Sequence, residues 1–254
     1  MTLEIVPGVL VNPDPLVKSY APYAPAIGVA GYIDRWRTAL DMADRSAGSQ
    51  VATYGSPLEP ANVLVGDSLA LPIVADIDGR RLVDCATRGP TSGLEDINRK
   101  FSGVTALIVW REIAGAAAHS IATVGGLRFR RSSTTWNVSK MSGAAGTTLS
   151  IPIAASGGVA ATSRMYAAIV SIPDDGAADV VLRLIGAGTA PFTARGPVSR
   201  GGTAAEQRRL RFGKDTGDAD NQGPAFAEMV IWPRVVSAAE LDTISEYAVG
   251  GYSL

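Results

Sequence analysis

A chain that closes on an apolar strand running straight into a fully signalled helix must give that helix a face to dock on. Residues 225–254, AFAEMVIWPRVVSAAELDTISEYAVGGYSL, have this form. The run from Phe226 to Trp232 is interrupted only by Glu228, and Pro233-Arg234 breaks it, because proline has no backbone N–H to donate. Ser237 is placed as an N-cap, and Glu240, three residues on, can return its carboxylate to the cap N–H. Val236 and Leu241 flank the cap as a hydrophobic staple. Leu241, Ile244 and Ala248 continue a helical stripe, and Gly250-Gly251 is placed to end the helix in a left-handed turn. The spacing predicts that Leu241 and Ile244 pack this helix onto the rest of the domain.

From about residue 62 onward, short apolar runs are separated by Gly, Pro, Asp and Ser at spacings of roughly ten to fifteen residues, which is a β pattern. Strands are expected at 70–77, 81–85, 103–112, 120–124, 127–131, 135–138, 148–154, 165–172, 179–185, 207–212 and 225–232. Residues 75–80 (ADIDGR) and 173–176 (PDDG) carry tight-turn signatures. This punctuation predicts a sandwich or jelly roll rather than βαβ units. No internal repeat suggests a solenoid or propeller. Upstream, Ile33, Trp36, Leu40 and Ala43 are spaced by three and four, as in a helix, with an opening strand through Trp36 as the alternative. The first 30 residues carry Pro7, Pro13, Pro15, Pro22 and Pro25 among apolar residues, so an extended arm that docks on its own domain or a neighbouring subunit is expected. The expected division is an anchoring or oligomerising arm over 1–60 and a sandwich over 61–254.

The strand, the Pro-Arg elbow and Val-Ser-Ala-Ala-Glu-Leu (236–241) resemble the close of concanavalin A-like (laminin-G-like) jelly-roll domains. These commonly end on a strand, an Asn-Arg or Pro-Arg elbow and Leu-Ser-x-x-Glu-Ile. Lys100-Phe-Ser-Gly-Val-Thr-Ala-Leu-Ile-Val-Trp110 is similar to the family strand that follows a Ser-Gly loop and reaches a Trp. Ser120–Gly126 is similar to the neighbouring strand that closes on glycines. Residues 165–185 look like the family hairpin, and Arg209–Gly213 resembles the strand before the last. The resemblance covers about residues 62–254. It implies an all-β, concanavalin A-like jelly-roll β-sandwich with a short C-terminal helix, of the kind carried on bacteriophage virion proteins.

The chemistry offered by the residue types is limited. Net charge is −1, from 23 basic and 24 acidic residues, so no global field attracts nucleic acid or an anionic membrane. No apolar run reaches the roughly 20 residues of a membrane helix, and the N-terminus lacks the pattern of a secretory signal. Synthesis in a host cytoplasm and localisation on a virion are expected. The single cysteine, Cys85, excludes an intramolecular disulfide and is expected to be a buried structural thiol. His119, the single histidine, is expected at the solvent edge of a strand. Glycan-cleaving jelly rolls need two carboxylates alternating on one strand face. Glu228 has apolar neighbours at i±2, Glu95-Asp96 are adjacent, and Asp174-Asp175 form a turn, so no such pair is found and the chain is expected not to be an enzyme.

The binding candidates are fewer still. Asp215, Asp218, Asp220 and Asn221 could offer oxygens to Ca²⁺ from one loop, without the spacing of an EF-hand; no other cofactor is suggested. Arg128 and Arg130 share one strand face, as do Arg209 and Arg211, and neighbouring strands would combine them into a basic stripe for carboxylates of a partner subunit or acidic sugars. Trp136, with polar neighbours, is the tryptophan most suited to stacking on a sugar; Trp36, Trp110 and Trp232 are expected in the core. The leading expectation is a virion structural protein, tail- or head-borne and homotrimeric, that contacts other virion proteins through its arm. The alternative is a carbohydrate-binding adhesion module for host glycans, with a glycan-cleaving enzyme third.

Overall fold

A computed structural model describes residues 27–59, 62–66, 70–85, 94–96, 103–112, 119–132, 134–140, 148–153, 164–174, 178–186, 190–198, 210–213 and 224–254; of Glu95 and Asp96 only the backbone is described. In chain order the described elements begin with β1 (Asp34–Arg37), α1 (Thr38–Asp41), β2 (Thr53–Gly55), β3 (Val63–Gly66), β4 (Ile73–Ile77) and β5 (Arg80–Asp84). They continue with β6 (Leu94–Asp96), β7 (Val104–Arg111), β8 (His119–Val124), β9 (Leu127–Arg131), β10 (Thr135–Lys140) and β11 (Leu149–Pro152). The last are β12 (Met165–Ile172), β13 (Asp179–Gly186), β14 (Phe192–Pro197), β15 (Leu210–Phe212), β16 (Ala225–Trp232) and α2 (Ala238–Tyr252).

These strands form an all-β sandwich of two sheets. The first has the order β14-β13-β12-β7-β16-β5-β4, with β1 also on β16; the second runs β11-β10-β9-β8-β15-β6-β3-β2. All pairings between described strands are antiparallel. Alternation along the strands sends one set of side chains between the sheets, where Trp36, Trp110, Trp136, Phe129, Phe212 and Phe226 form the centre of the main core. A second apolar cluster lies on the outer face of the first sheet, where Leu107, Val109, Val230 and Trp232 meet Leu241, Ile244 and Ala248 of α2 and Ile27 and Val29 of the incoming chain. α2 and residues 27–29 therefore make a third layer over the first sheet.

Each expected strand is present, with ends shifted by a few residues. The β4–β5 hairpin turns on Asp78 (φ 53°) and Gly79 (φ 72°), two left-handed residues as a type I′ turn requires, and the β8–β9 hairpin turns on Gly125 and Gly126 in the same way. Both expected alternatives for 31–47 occur in succession, a strand through Trp36 and then the single turn of α1. The helical stripe itself is corrected: Ile33 and Leu40 are exposed, while Trp36 is fully buried because its strand position faces the other sheet. The division at residue 60 is also corrected, because β1 pairs with β16 and β2 with β3, placing residues 34–55 within the sandwich. The N-terminal 26 residues lie outside the described residues.

The C-terminal helix starts as its sequence predicts. Glu240 N donates to Ser237 Oγ at 3.3 Å, and Ser237 N donates to Glu240 Oε2 at 2.7 Å, closing the capping box. Val236 and Leu241, the two staple residues, are both buried. Hydrogen bonds from Arg234, then that from the Ser237 backbone, hold the Glu240 carboxyl down at about 2. The predicted end is corrected: the helix passes Gly250-Gly251 and stops at Tyr252, with Ser253 left-handed at φ 55°. Tyr252 is held from both ends, its carbonyl accepting from Arg80 Nη2 at 2.8 Å and its hydroxyl donating to Glu228 Oε2 at 2.6 Å, and this anchoring outweighs the low helix propensity of two glycines. Ser237→Ala is expected to lower stability by about 1 kcal/mol. Urea unfolding of the two proteins measures it, and an unchanged midpoint would count against the cap.

Candidate functional site

Strand register places the polar residues of the second sheet in two rows on its outer face. The first row runs Arg211 (β15), Thr123 (β8), Arg128 (β9), Ser139 (β10), each directly opposite the next. The second runs Ser120 (β8), Arg130 (β9), Asn137 (β10), Ser150 (β11). A bulge between Ser120 and Ala122 lets Ile121 and Ala122 both enter the core while Ser120 and Thr123 stay on the outer face. Neighbouring strands lie about 4.8 Å apart, so Arg211 and Arg128 stand roughly 10 Å apart across Thr123.

This face is largely buried rather than an open sheet surface. Thr123, Ser120 and Arg211 are buried, Arg128, Arg130, Asn137 and Ser139 are half-buried, and Ser150 is exposed. Burial therefore increases from β11 toward β8. Thr123 Oγ1, Ser120 Oγ and Asn137 Oδ1 are buried atoms with no hydrogen-bond partner among the described residues. Native proteins leave few such atoms, because each forfeits its bonds to water. Three on one face, beside three guanidinium groups, mark it as the candidate binding surface.

The stripe expected from the sequence is thus realised in altered form. Arg128 and Arg211 share a face, but β8 separates their strands, and Arg209 lies outside the described residues. Arg211 is buried rather than presented on an outer surface for a partner subunit. Thr123, Ser120 and Asn137 were not singled out from the sequence. The alternation of Asn137 and Ser139 against Trp136 and Val138 was a readable signal; the bulge in β8 hid the other two.

Trp136 requires a correction, since its side chain is fully buried. Its ring lies 5.7 Å from Trp110, 5.3 Å from Tyr166 and 6.3 Å from Phe129, between centroids. The polar residues beside it in sequence occupy the opposite face of the same strand, so they do not describe its surroundings. The solvent-edge expectation for His119 is corrected as well: it is 1% exposed and faces the core in register with Arg131 and Trp136. Cys85 is buried as expected, and burial followed by the Asp84 charge raises its thiol pKa, leaving it protonated. Asp215, Asp218, Asp220 and Asn221 lie outside the described residues, and among the described residues no three metal-ligating side chains cluster.

His119 belongs to a buried charged cluster at one end of the sandwich. Its Nε2 lies 2.8 Å from Glu112 Oε1. Trp110 Nε1 donates to Glu112 Oε2 at 3.1 Å and Arg131 Nη1 to Oε1 at 3.2 Å. Burial pushes the Glu112 carboxyl up, but His119, Trp110 and Arg131 together outweigh it and hold the pKa below its ordinary value. A depressed carboxyl adds stability that is complete above its unfolded pKa of about 4.3 and is lost as pH falls through the folded value. The gap in melting temperature between the native chain and Glu112→Gln should therefore narrow as pH is lowered from 6 toward 3. Melts across that range test this, and a constant gap would contradict it.

A second polar cluster sits between β16 and α2. Glu228, fully buried, accepts from Arg35 Nε at 2.7 Å, Tyr247 Oη at 2.7 Å and Tyr252 Oη at 2.6 Å. A bulge between Phe226 and Glu228 turns this carboxylate to the helix side, while Phe226 and Met229 both remain in the inter-sheet core. Burial, then the Glu228 charge, raises both tyrosine pKa values, so the phenols stay protonated donors. Nearby, a shallow groove is lined by Arg183, Thr193, Arg195 and Asp242, but Arg183 Nη1 is already 2.6 Å from Asp242 Oδ1.

No protein-family model and no curated protein matches the chain. Solved structures do match. A mutant of Trypanosoma rangeli sialidase displaying trans-sialidase activity is similar with a TM-score of 0.52 and 12% identity, over 89% of this chain and 34% of that one. Trypanosoma rangeli sialidase in complex with the inhibitor DANA gives 0.51 and 13%, over 87% and 33%. The botulinum neurotoxin serotype D binding domain gives 0.43 and 11%, over 85% and 51%, too low for any argument. The chain spans about a third of the length of the sialidases, and at these identities the likeness concerns the fold: a β-sandwich found in carbohydrate-related proteins. It also overturns the expectation that the chain is not an enzyme. Since the matching structures are sialidases, the missing strand carboxylate pair is no ground for excluding activity.

Proposed function

We propose that this chain is a carbohydrate-recognising β-sandwich whose ligand lies on the outer face of the second sheet. The observation that carries this reading is the set of buried, unpartnered atoms Thr123 Oγ1, Ser120 Oγ and Asn137 Oδ1 on one polar face of the second sheet. Sugar hydroxyls both donate and accept, so a saccharide satisfies hydroxyl and amide groups that the protein leaves unmet. The fold likeness to sialidases supports the same direction. Thr123→Val keeps the shape of the side chain and removes the buried hydroxyl. Stability should hold or rise by up to about 1 kcal/mol, while binding weakens about tenfold. Melting curves and a glycan array on both proteins test it. Absence of binding by the native chain to any glycan on the array sinks the proposal, and sugar release from a bound glycan tells whether recognition leads to cleavage.

A second reading places the chain on a bacteriophage virion, as a homotrimer anchored by its N-terminus. The five prolines set among apolar residues in the first 30 positions support it. Ile27 and Val29 are part of the core under α2, so a truncation of residues 1–26 retains both of them. Loss of incorporation into particles is the expected result of that truncation, and normal incorporation rules the anchor out.

A further inference from the structure

We infer that an open groove beside β1 is the docking site of this chain's own proline-rich arm, residues 1–26. The inference is independent of the glycan reading; on the virion reading, the arm leaves this groove to anchor. The groove measures about 710 Å³ and is lined by Gly31, Tyr32 and Ile33 from the segment entering β1 and by Leu58 and Asn62 from the segment before β3. Both segments are fixed in place by the sandwich. Ile33 N donates to the Ile231 carbonyl at 2.8 Å, and Asn62 Nδ2 donates to Asp34 Oδ1 at 2.7 Å. The Asn62 carbonyl accepts from Ser56 N at 2.8 Å. A Cβ placed on Gly31 would meet no described atom within 4 Å, so there is room for an occupant at this point.

The lining is apolar where it is open. Ile33 is 36% and Leu58 51% exposed, and the half-buried Tyr32 ring stands edge to face with Trp232 at 6.0 Å. One exposed aliphatic side chain needs no explanation, but two on one groove beside an aromatic ring form a seat for an apolar partner. The arm has the matching chemistry. Its five prolines stand among Ile, Val, Leu and Tyr, with Glu4, Asp14 and Lys18 as its charged residues. Such a sequence favours the polyproline conformation, which loses little entropy on docking and fits grooves lined by aromatic and aliphatic side chains. Position favours the same occupant. The arm joins the described chain at Ile27, buried under α2 and three residues before Ala30, which also lines the groove. A tether this close gives the arm an effective concentration on the order of 1 mM at the groove, well above that of a second copy in dilute solution. The 26 residues can extend to about 80 Å, so the arm has the length to fold back, and loop-closure entropy grows only slowly with that length.

The test is limited trypsin digestion of the full chain, with cleavage after Lys18, the single basic residue of the arm, followed by mass spectrometry. The native chain is compared with Leu58→Asp, which puts a charge in the groove, and with Leu40→Asp, a control at a site 45% exposed that does not line the groove. Melting curves confirm that each variant is folded, and Leu58→Asn takes the place of Leu58→Asp if the charge lowers stability. The expected result is cleavage after Lys18 about tenfold faster in Leu58→Asp than in the native chain or Leu40→Asp, with the native rate unchanged on dilution. Equal cleavage of all three proteins overturns the inference, and so does equal acceleration by the two aspartates. Protection that disappears on dilution, together with a dimer or larger species in sedimentation, overturns it by making the occupant a second copy.

Discussion

Glu228→Ala is expected to cost about 3 kcal/mol of folding stability, because it leaves the half-buried Arg35 charge and two buried phenols without their partner. In the native chain the carboxylate takes Arg35 Nε, Tyr247 Oη and Tyr252 Oη at 2.6–2.7 Å, and Arg35 Nη2 also donates to Tyr247 Oη at 2.8 Å. One side chain thus joins β1, β16 and α2. Burial works against the Arg35 charge, but Glu228 and Tyr247 outweigh it and hold its pKa above the ordinary value, so the guanidinium remains charged across the physiological range. Chemical unfolding followed by circular dichroism measures the loss. Tyr252→Phe, which removes one hydrogen bond and leaves the ion pair, should cost only about 1 kcal/mol. A loss below about 1 kcal/mol for Glu228→Ala itself would mean that the apolar contacts of Leu241, Ile244 and Ala248 hold the helix alone.

Trp136→Ala should have an effect of the same order, about 3–5 kcal/mol, through the cavity left between the sheets. The indole is enclosed by Trp110, Phe129 and Tyr166, and Arg131 lies over its ring at 6.0 Å. Trp136→Phe retains part of that packing and should lose less. Equilibrium unfolding of the three proteins tests the order. If Trp136→Ala retained native stability and lost only sugar binding, the placement of this ring in the core would be refuted. Any loss of glycan binding by Trp136→Ala at temperatures where it is partly unfolded reports stability, so the polar face is better probed through Thr123 and Arg130.

Local patterns made much of the fold legible. The strands at 165–172 and 225–232 have the bounds expected of them, because long apolar runs between turn residues leave little freedom in where a strand begins. Asp78-Gly79 and Gly125-Gly126 announced hairpins because only left-handed residues close a two-residue turn. The strands not anticipated are β2, β3, β6 and β14. Of these, β2 and β6 have three residues each, too few for a periodicity to register. β14, FTARGP, has no apolar alternation and pairs with β13 at a sheet edge.

The candidate site was only partly readable. Arg128, Arg130 and Arg211 could be assigned to strand faces from spacing, but their being drawn onto one face depends on β15 inserting between β6 and β8, contacts between segments roughly 90 and 115 residues apart in sequence. Two bulges then shifted the alternation, one taking Ser120 and Thr123 to the outer face and the other turning Glu228 toward α2. A bulge inserts one residue into a period of two, so every side-chain direction beyond it reverses, and composition gives no warning.

By itself, the sequence determined the class of the fold, its hairpins and the start of its last helix, because these depend on backbone preferences within a few residues of one another. Only the tertiary structure decided where that helix ends, since Tyr252 is held by Arg80 and Glu228, both distant in sequence. It likewise decided that Trp136 and His119 are interior and that the polar rows of β8, β9, β10 and β15 share one face. Burial is a property of what packs against a residue, and in a two-sheet sandwich most of those neighbours come from elsewhere in the chain.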